Sequence, residues 1–229
     1  MRILMIAPPG AGKGTQGALI ASHFGIPHIA SGDILRDHIA RRTDIGRAAE
    51  GYLNRGELVP DEIMHETIRQ AFIDSMAYGS YVLDGMPRTI EQAREIHKLG
   101  LDLGMEADIA LHLQADDAEV TRRMLARASV DGRSDDTAPV IEERLRRYHE
   151  VTEPVTAWYR LRGILVSVDA MRPIDVVARE ILVTLEVMRP MIDYIPARMR
   201  RPIDLTTLDR TRDELAPTAP VAGITQPAA

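Results

Sequence analysis

The chain has 229 residues, 45% of them hydrophobic and 27% charged, a composition typical of a globular protein with one main domain. The net charge of −6 argues against a general binder of nucleic acid or anionic membranes, and the lack of cysteine excludes disulfides, thiolate zinc sites and a cysteine nucleophile. No apolar run approaches the roughly 18 residues of a membrane span, and the first residues do not form a secretory signal, so we expect a cytoplasmic protein.

Five short apolar runs predict β-strands, at residues 3–6, 27–30, 81–84, 109–113 and 164–168. These runs are apolar throughout rather than alternating, which is typical of parallel strands that are buried on both faces. Helical patterns separate them. The sequence therefore predicts an α/β protein with three layers, in which a five-stranded parallel sheet lies between helices.

The first helices have clear boundaries. A helix over residues 13–24 is closed by Gly25, which suits the left-handed position after a helix. Ser31 is the expected N-cap of the next helix, and Asp61 begins another.

The later helices are marked by acidic residues and prolines. Asp116 followed by Glu119 predicts an acidic capping box for a helix that ends near Ala128. A last long helix begins near Pro139, and Pro154 is expected to kink or divide it.

Three segments depart from the alternation of strand and helix. Residues 31–59 contain helical patterns without a strand, and residues 128–138 form a short polar loop. From about Arg189 onward, repeated prolines predict little regular structure, so we expect residues 188–229 to form a C-terminal extension that is largely disordered past Arg212.

Arginine greatly outnumbers lysine among the basic residues. Of the 28 lysines and arginines, only Lys13 and Lys98 are lysine, which hints that a lysine serves where a planar guanidinium cannot. The seven histidines show no spacing typical of metal ligands, and we expect them to be ordinary helix residues.

A glycine-rich loop lies between the first strand and the first helix, the context that a phosphate-binding P-loop requires. Backbone N–H groups of such a loop turn toward a phosphate, and the helix N-terminus adds partial positive charge. Lys13 can reach the β- and γ-phosphates, and the Thr15 hydroxyl can bind phosphate or Mg²⁺. The predicted nucleotide contacts in this loop are Gly10, Ala11, Gly12, Lys13, Gly14 and Thr15.

The loop has one departure from the usual pattern, because Ala7 stands where the first glycine is expected. Alanine reaches positive φ only with strain, so the turn must use a negative φ there or store about 1 kcal/mol. The alternative interpretation of the whole segment is a strand-to-helix turn that binds nothing.

Further motifs follow in order and spacing, and with the loop they resemble the adenylate kinases, within the nucleoside monophosphate kinase family. They are PGAGKGTQ at 9–16, SGDILR at 31–36, GELVPDE at 56–62, DGMPR at 84–88 with Gln92, GRSDD at 132–136, and Arg144 with Tyr148. The resemblance covers residues 1 to about 187. It implies a P-loop kinase core, a small helical insertion at 30–59 that binds the monophosphate, and a short lid at 128–138.

The resemblance also implies roles for single residues. Phosphoryl transfer between polyanions needs positioning and positive charge, which arginines supply because a guanidinium grips two oxygens at once. The implied catalytic residues are Lys13, Arg88, Arg123, Arg127, Arg133 and Arg144, and Arg127 and Arg172 join the loop in binding ATP. The implied AMP contacts are Ser31, Arg36, Glu57, Leu58, Val59, Gly85, Met86, Pro87, Arg88, Gln92, Arg133 and Arg144.

The implied cofactor is Mg²⁺, brought with ATP and contacted by Thr15, and through water by Asp33 and Asp84. Asp135 and Asp136 are expected to latch the lid. Met86 stands where the family usually has phenylalanine, and Ser31 replaces a threonine.

The implied activity is reversible transfer of the terminal phosphoryl group of Mg·ATP to AMP, giving two ADP, for adenine nucleotide homeostasis. The expected protein is a monomer whose partners are ATP and AMP, without nucleic acid or membrane. One alternative is a UMP or CMP kinase of the same family. Another is a nucleotide-binding module whose catalysis is weakened, for which Ala7 is the support.

Overall fold

The computed structural model describes residues 1–131 and 136–194. Within those residues the elements, in chain order, are β1 (Arg2–Ile6), α1 (Lys13–Phe24), β2 (His28–Ala30), α2 (Ser31–Ala40), α3 (Asp44–Asn54), α4 (Asp61–Met76), β3 (Tyr81–Asp84), α5 (Ile90–Leu103), β4 (Ile109–Gln114), α6 (Asp117–Asp131), α7 (Ala138–Arg147), a π-helical turn (Tyr148–Thr152), α8 (Glu153–Leu161), β5 (Leu165–Asp169) and α9 (Ile174–Tyr194). No helix in this described part is long and apolar enough to cross a membrane.

The strands form one parallel sheet in the order β2-β3-β1-β4-β5, which confirms the predicted fold class. Strand β1 lies in the middle, with β3 on one side and β4 on the other. In such a sheet, ligands bind beyond the carboxyl ends of the strands, where neighbouring connections diverge. The segments that follow β1, β2 and β3 therefore meet at one edge.

Both faces of the sheet are covered, and β1 shows why its residues are apolar without alternation. Ile3 and Met5 pack into a cluster with residues of α1, α6 and α9, whereas Leu4 and Ile6 pack with residues of α4, α5 and α8. Because successive side chains point to opposite faces, a strand between two helical layers needs apolar residues at every position.

The helix that follows β2 begins differently from the prediction. Ser31 is the first residue of α2 and Ala30 occupies the capping position, so the expected N-cap role of Ser31 is wrong. The reason is that β2 runs directly into the helix, which leaves the Ser31 side chain buried beside Gly85 instead of facing free N–H groups.

The start of α6 agrees with the sequence in part. An Asp116 carboxylate oxygen accepts hydrogen bonds from the backbone N–H of Ala118 and Glu119, but the Asp116 N–H donates to Met171 Sδ rather than to Glu119, so the predicted capping box is only half formed. The end of α6 does not agree, since α6 continues to Asp131 and takes the first residues of the predicted loop at 128–138.

The chain divides near Pro154, as predicted. Helix α7 passes into the π-helical turn, and α8 then begins with Pro154 in its first turn. Proline is tolerated in a first turn because a backbone N–H at that position would have no hydrogen-bond partner within the helix.

Helix α9 extends further than the sequence suggested. It runs through Pro190 to Tyr194, so the expectation of irregular structure from Arg189 is wrong for its first residues. Met188 and Ile192 are buried against the core, and apolar burial of this kind can offset the roughly 3 kcal/mol that a proline costs inside a helix. The predicted extension beyond residue 194, including Arg212, lies outside the described residues.

Candidate functional site

The loop between β1 and α1 is built on two glycines with left-handed backbone. Gly10 has φ +83° and Gly12 has φ +88°, a region that favours glycine. A Cβ at Gly10 would also lie 2.8 Å from the Val120 carbonyl oxygen, so this glycine allows the loop to approach α6 closely. The loop then enters α1 at Lys13, with the helix N-terminus facing the cleft.

Ala7 fits this loop without backbone strain. In the described ranges Arg42 is the single non-glycine residue with positive φ, so Ala7 uses the negative alternative. Its methyl group is buried in the core, and its carbonyl oxygen accepts a hydrogen bond of 3.0 Å from Lys13 Nζ.

Positive charges converge on the cleft above this loop. The cleft has a volume of about 440 Å³, and its walls include Lys13, Arg36, Arg88, Arg127 and Arg144. Burial lowers the pKa of Lys13 to about 8; Asp84 opposes this shift, while Arg88, Arg144 and Arg127 add to it. Such a concentration of cations is stable when it holds a polyanion, since each positive charge disfavours the next one.

Oxygen ligands line the same cleft. Thr15 lies in the first turn of α1, Asp33 in the first turn of α2, and Asp84 at the end of β3. Hydroxyl and carboxylate oxygens are the donors that Mg²⁺ prefers, and Mg²⁺ is commonly held by one or two carboxylates together with substrate phosphates. These residues therefore fit the predicted cofactor.

A second cavity opens on one side of the cleft, between α2, α3 and the loop after β3. It is lined by most of the residues predicted to contact AMP, namely Arg36, Glu57, Leu58, Val59, Gly85, Arg88, Gln92 and Arg144. Ser31 is fully buried beneath it, and a Cβ at Gly85 would lie 2.1 Å from its hydroxyl oxygen. Gly85, with φ +93°, therefore combines a left-handed turn with a close approach that no other residue allows.

Hydrogen bonds hold the polar groups of this second cavity. Gln92 Oε1 accepts from the Arg88 backbone N–H at 2.7 Å, and its amide donates to Asp61. Arg88 Nε donates to the Gly85 carbonyl at 2.8 Å, and Arg36 pairs with Asp33. The loop after β3 is thus tied to the start of α4 and α5.

Besides the fully buried Ser31, two further predicted AMP contacts do not line the second cavity. The Met86 side chain is fully buried in the core rather than lining the second cavity. A thioether side chain fills such an interior position well, which explains why methionine substitutes for the usual phenylalanine there. Pro87 lines an adjacent cavity next to Arg88 and Lys13 instead.

A third cavity, of about 550 Å³, lies on the other side of the P-loop, between α6 and the loop before α9. Arg123 forms its wall, and its guanidinium donates to Glu119 at 2.7 Å and to the Ala170 carbonyl at 2.9 Å. Arg172 also lines this cavity and pairs with Glu180. Arg127 borders both this cavity and the cleft, so it joins the two spaces.

Asp136 connects two of the predicted catalytic arginines. Its side chain is completely buried, and its carboxylate accepts two hydrogen bonds from Arg127, at 2.8 and 2.9 Å, and one from Arg144 at 2.8 Å. The arrangement fits the predicted latch. Arg133 and Asp135, the other predicted lid residues, lie outside the described residues.

Sequence reasoning missed several residues around the cleft. Arg147 and Thr152 line the cavity beside Lys13, and so does Tyr148, which the motif contained without a role. Arg147 could have been noticed, because it lies three residues after Arg144 and therefore on the same helical face. Glu119 could have been noticed for the same reason, because it lies four residues before Arg123 and pairs with it.

The comparisons with known proteins agree with one another. A family model described as adenylate kinase matches residues 5–164. The adenylate kinase of Thermobifida fusca is 40% identical over 186 residues, which cover 81% of this chain and 98% of that protein. Those of Kocuria rhizophila, 44% identical over 185 residues, and of a Nocardioides species, 40% identical over 187 residues, also match over 98% of their length. With its parallel sheet, P-loop and converging arginines, this chain belongs to the adenylate kinase family.

Proposed function

We propose that this chain catalyses the reversible transfer of the terminal phosphoryl group of Mg·ATP to AMP, giving two ADP. The observation that carries the proposal is the cleft in which Lys13, Arg88, Arg127 and Arg144 converge between two cavities. One cavity is lined by most of the residues expected to bind AMP, and the other by most of those expected to bind ATP. Two nucleotides in these cavities would meet with their phosphates in the cleft.

The chemistry follows from the charge distribution. In phosphoryl transfer the negative charge spreads over the equatorial oxygens, while the attacking and leaving oxygens lie in line. Cations fixed in advance around that position stabilise the transition state without reorganising. In this mechanism Lys13 and Arg127 hold the donor phosphates, Arg36 and Arg88 hold the acceptor phosphate, and Arg144 bridges the two.

Mg²⁺, when bound, neutralises charge on the donor phosphates. Thr15, Asp33 and Asp84 are the residues that would hold it, the carboxylates through water. All three residues line the cleft in which the donor phosphates would lie.

We also propose that the insertion at 30–59 and the lid at 128–138 close over the substrates and exclude water, which would otherwise accept the phosphoryl group. The proposed assembly state is a monomer and the proposed compartment is the cytoplasm. Light scattering of the purified protein, with and without nucleotides, tests the assembly state.

The two alternatives receive less support. The relatives are named adenylate kinases, which disfavours a UMP or CMP kinase. The negative φ of Ala7 removes the observation on which a weakened nucleotide-binding module rested.

The deciding experiment is an acceptor panel. The purified protein is given Mg·ATP with AMP, UMP or CMP, and ADP formation is measured beside a Lys13→Ala variant. We expect AMP to be the preferred acceptor, with turnover at least a hundredfold above the variant. A preference for UMP or CMP would contradict AMP as the acceptor. Turnover equal to that of the variant would contradict the proposed catalytic activity.

A further inference from the structure

A buried histidine lies behind the phosphate cleft. His112 is on β4, paired with Ile6 of β1 on one side and with Ser167 of β5 on the other. It contradicts the expectation that the histidines are helix residues, as does His28 on β2. Its position is rigid, because the strand is hydrogen-bonded on both sides and Ile6 directly precedes the P-loop.

In the described part of the chain the His112 side chain makes one hydrogen bond, and this bond reaches a cavity that adjoins the cleft. Its Nε2 lies 2.9 Å from the Tyr148 hydroxyl, and both side chains are buried. Tyr148 in turn lines the cavity that contains Lys13, Arg88 and Arg144. The pair therefore links the centre of the sheet to the wall of the phosphate site.

Tyr148 occupies a sensitive point of the backbone. It is the first residue of the π-helical turn that joins α7 to α8. Single π turns are frequent at functional sites and depend on tertiary contacts, because their hydrogen-bond pattern is less favourable than that of an α-helix. Arg144 precedes Tyr148 by four residues, so the two side chains leave the helix on the same face.

We propose that His112 is a positioning residue for phosphoryl transfer: its ring holds the Tyr148 hydroxyl, and this fixes the π-helical turn and the direction from which Arg144 enters the cleft. Asp136 holds Arg144 at its guanidinium, whereas the pair of His112 and Tyr148 holds the backbone from which Arg144 projects. Both constraints are needed, because a displacement of about 1 Å at a reacting centre can lower a rate a hundredfold.

The charge state of His112 suits this task. Burial lowers its pKa to about 4; Glu153 opposes the shift, while Arg160 and Lys13 add to it. The ring is therefore neutral near pH 7. It can bind a hydroxyl without placing another positive charge behind Lys13, where the repulsion would weaken the grip on phosphate.

The test uses variants that separate the hydrogen bond from packing. His112→Leu keeps a similar volume but removes the bond, His112→Gln retains an amide that can bond the hydroxyl, and Tyr148→Phe removes one oxygen. We expect His112→Leu and Tyr148→Phe each to lower kcat about tenfold, with KM for ATP unchanged, because Arg144 acts on the transferring group and on the acceptor side of the cleft. We expect His112→Gln to recover most of kcat, and the double variant His112→Leu/Tyr148→Phe to lose no more than either change alone.

A matched control separates positioning from stability. Thr184 is another buried side chain that donates a hydrogen bond, to the Glu180 carbonyl at 2.8 Å in α9. Thr184→Val is expected to lower the melting temperature while leaving kcat unchanged. If His112→Leu and Tyr148→Phe behave as Thr184→Val does, or if His112→Gln fails to restore kcat, the proposal is wrong. Should His112→Leu not fold, Tyr148→Phe alone decides.

This inference rests on the proposed function, and the same assay distinguishes their failures. A wild-type protein that forms no ADP contradicts the function. An active wild type with unaffected variants contradicts only the role of His112.

Discussion

At the scale of single residues, Ala7 shows how a departure from a motif can be harmless. The usual first glycine of a P-loop suggests a need for unusual backbone, yet this position uses a negative φ and a methyl group buried in the core. The loop relies instead on Gly10 and Gly12 for its left-handed turns. The phosphate cradle therefore depends on the glycines that follow Ala7, and not on its first position.

The first prediction concerns Ala7→Gly. We expect kcat/KM to stay within about twofold of the wild type, because the backbone needs no positive φ there. The free energy of unfolding should fall by about 0.5–1 kcal/mol, since glycine loses more entropy on folding and leaves a methyl-sized gap. Urea unfolding and steady-state kinetics check both values. A large gain in activity would show that alanine crowds the phosphates.

A second prediction concerns the charge of Lys13. Burial lowers its pKa to about 8, so in the free protein the ammonium loses its proton as the pH rises through that value. If the charged form binds phosphate, the Kd for Mg·ATP should increase about tenfold between pH 7 and pH 9. In Lys13→Arg the guanidinium stays charged, and its Kd should hardly change over this range. A wild-type Kd that is constant from pH 7 to pH 9 would contradict the binding of phosphate by the charged form of Lys13.

At the scale of elements, the π-helical turn is held from two sides. On its inner side His112 bonds Tyr148. On its outer side His149 contacts Asp117 of α6 at 2.9 Å and Glu153 of α8 at 2.8 Å. The turn that separates α7 from α8 is therefore stabilised by a neutral buried bond and by an exposed ionic one.

The third prediction follows from the outer contacts. The hydrogen bond to Glu153, with further help from Asp117, raises the pKa of His149. A raised folded-state pKa means that the stabilisation is complete below the ordinary value of about 6.5 and is lost as the pH rises through the folded-state value. His149→Gln should therefore lower the melting temperature at pH 5.5 and have little effect at pH 9.

The expected size is below about 1 kcal/mol, because the pair is largely exposed. His65→Gln is the matched control, since His65 faces the single carboxylate of Glu95 at 3.1 Å. Its effect at pH 5.5 should be smaller. An equal effect of His149→Gln at both values of pH would mean that packing and not charge stabilises the turn.

At the scale of the whole molecule, the residues that line the cleft and the two nucleotide cavities end at Val177 in the described part of the chain. The alignment to the Thermobifida fusca protein takes up 186 of the 229 residues and covers 98% of that protein. The cavities and the core clusters are lined by residues up to Ile192. The boundary that matters for stability is therefore the end of α9.

The fourth prediction compares two truncations. A chain ending at Tyr194 should keep its turnover and melting temperature, because every described core and cleft residue is retained. A chain ending at Arg189 also loses the buried Ile192, which should cost about 1.5–3 kcal/mol of unfolding free energy. Thermal unfolding and ADP formation distinguish the two. If the chain that ends at Tyr194 loses more than about tenfold in turnover, residues 195–229 have a role in catalysis.

What the sequence determined by itself was the class of fold, and it predicted most of the charged residues that line the cleft. Buried parallel strands are apolar at every position, and a P-loop needs glycines and a lysine at close spacing. Both features can therefore be predicted from residues that are neighbours in the sequence. The arginines could be proposed as phosphate contacts because the family motifs that contain them are also short.

Only the tertiary structure decided how these groups are held. Asp136 bridges Arg127 and Arg144 because α6 and α7 are in contact, and His112 meets Tyr148 because α8, which directly follows the π-helical turn, packs against β4. Met86 belongs to a binding motif but is turned into the core. Such contacts depend on which faces of distant elements pack together, and periodicity along the chain specifies that a face is buried without specifying its partner.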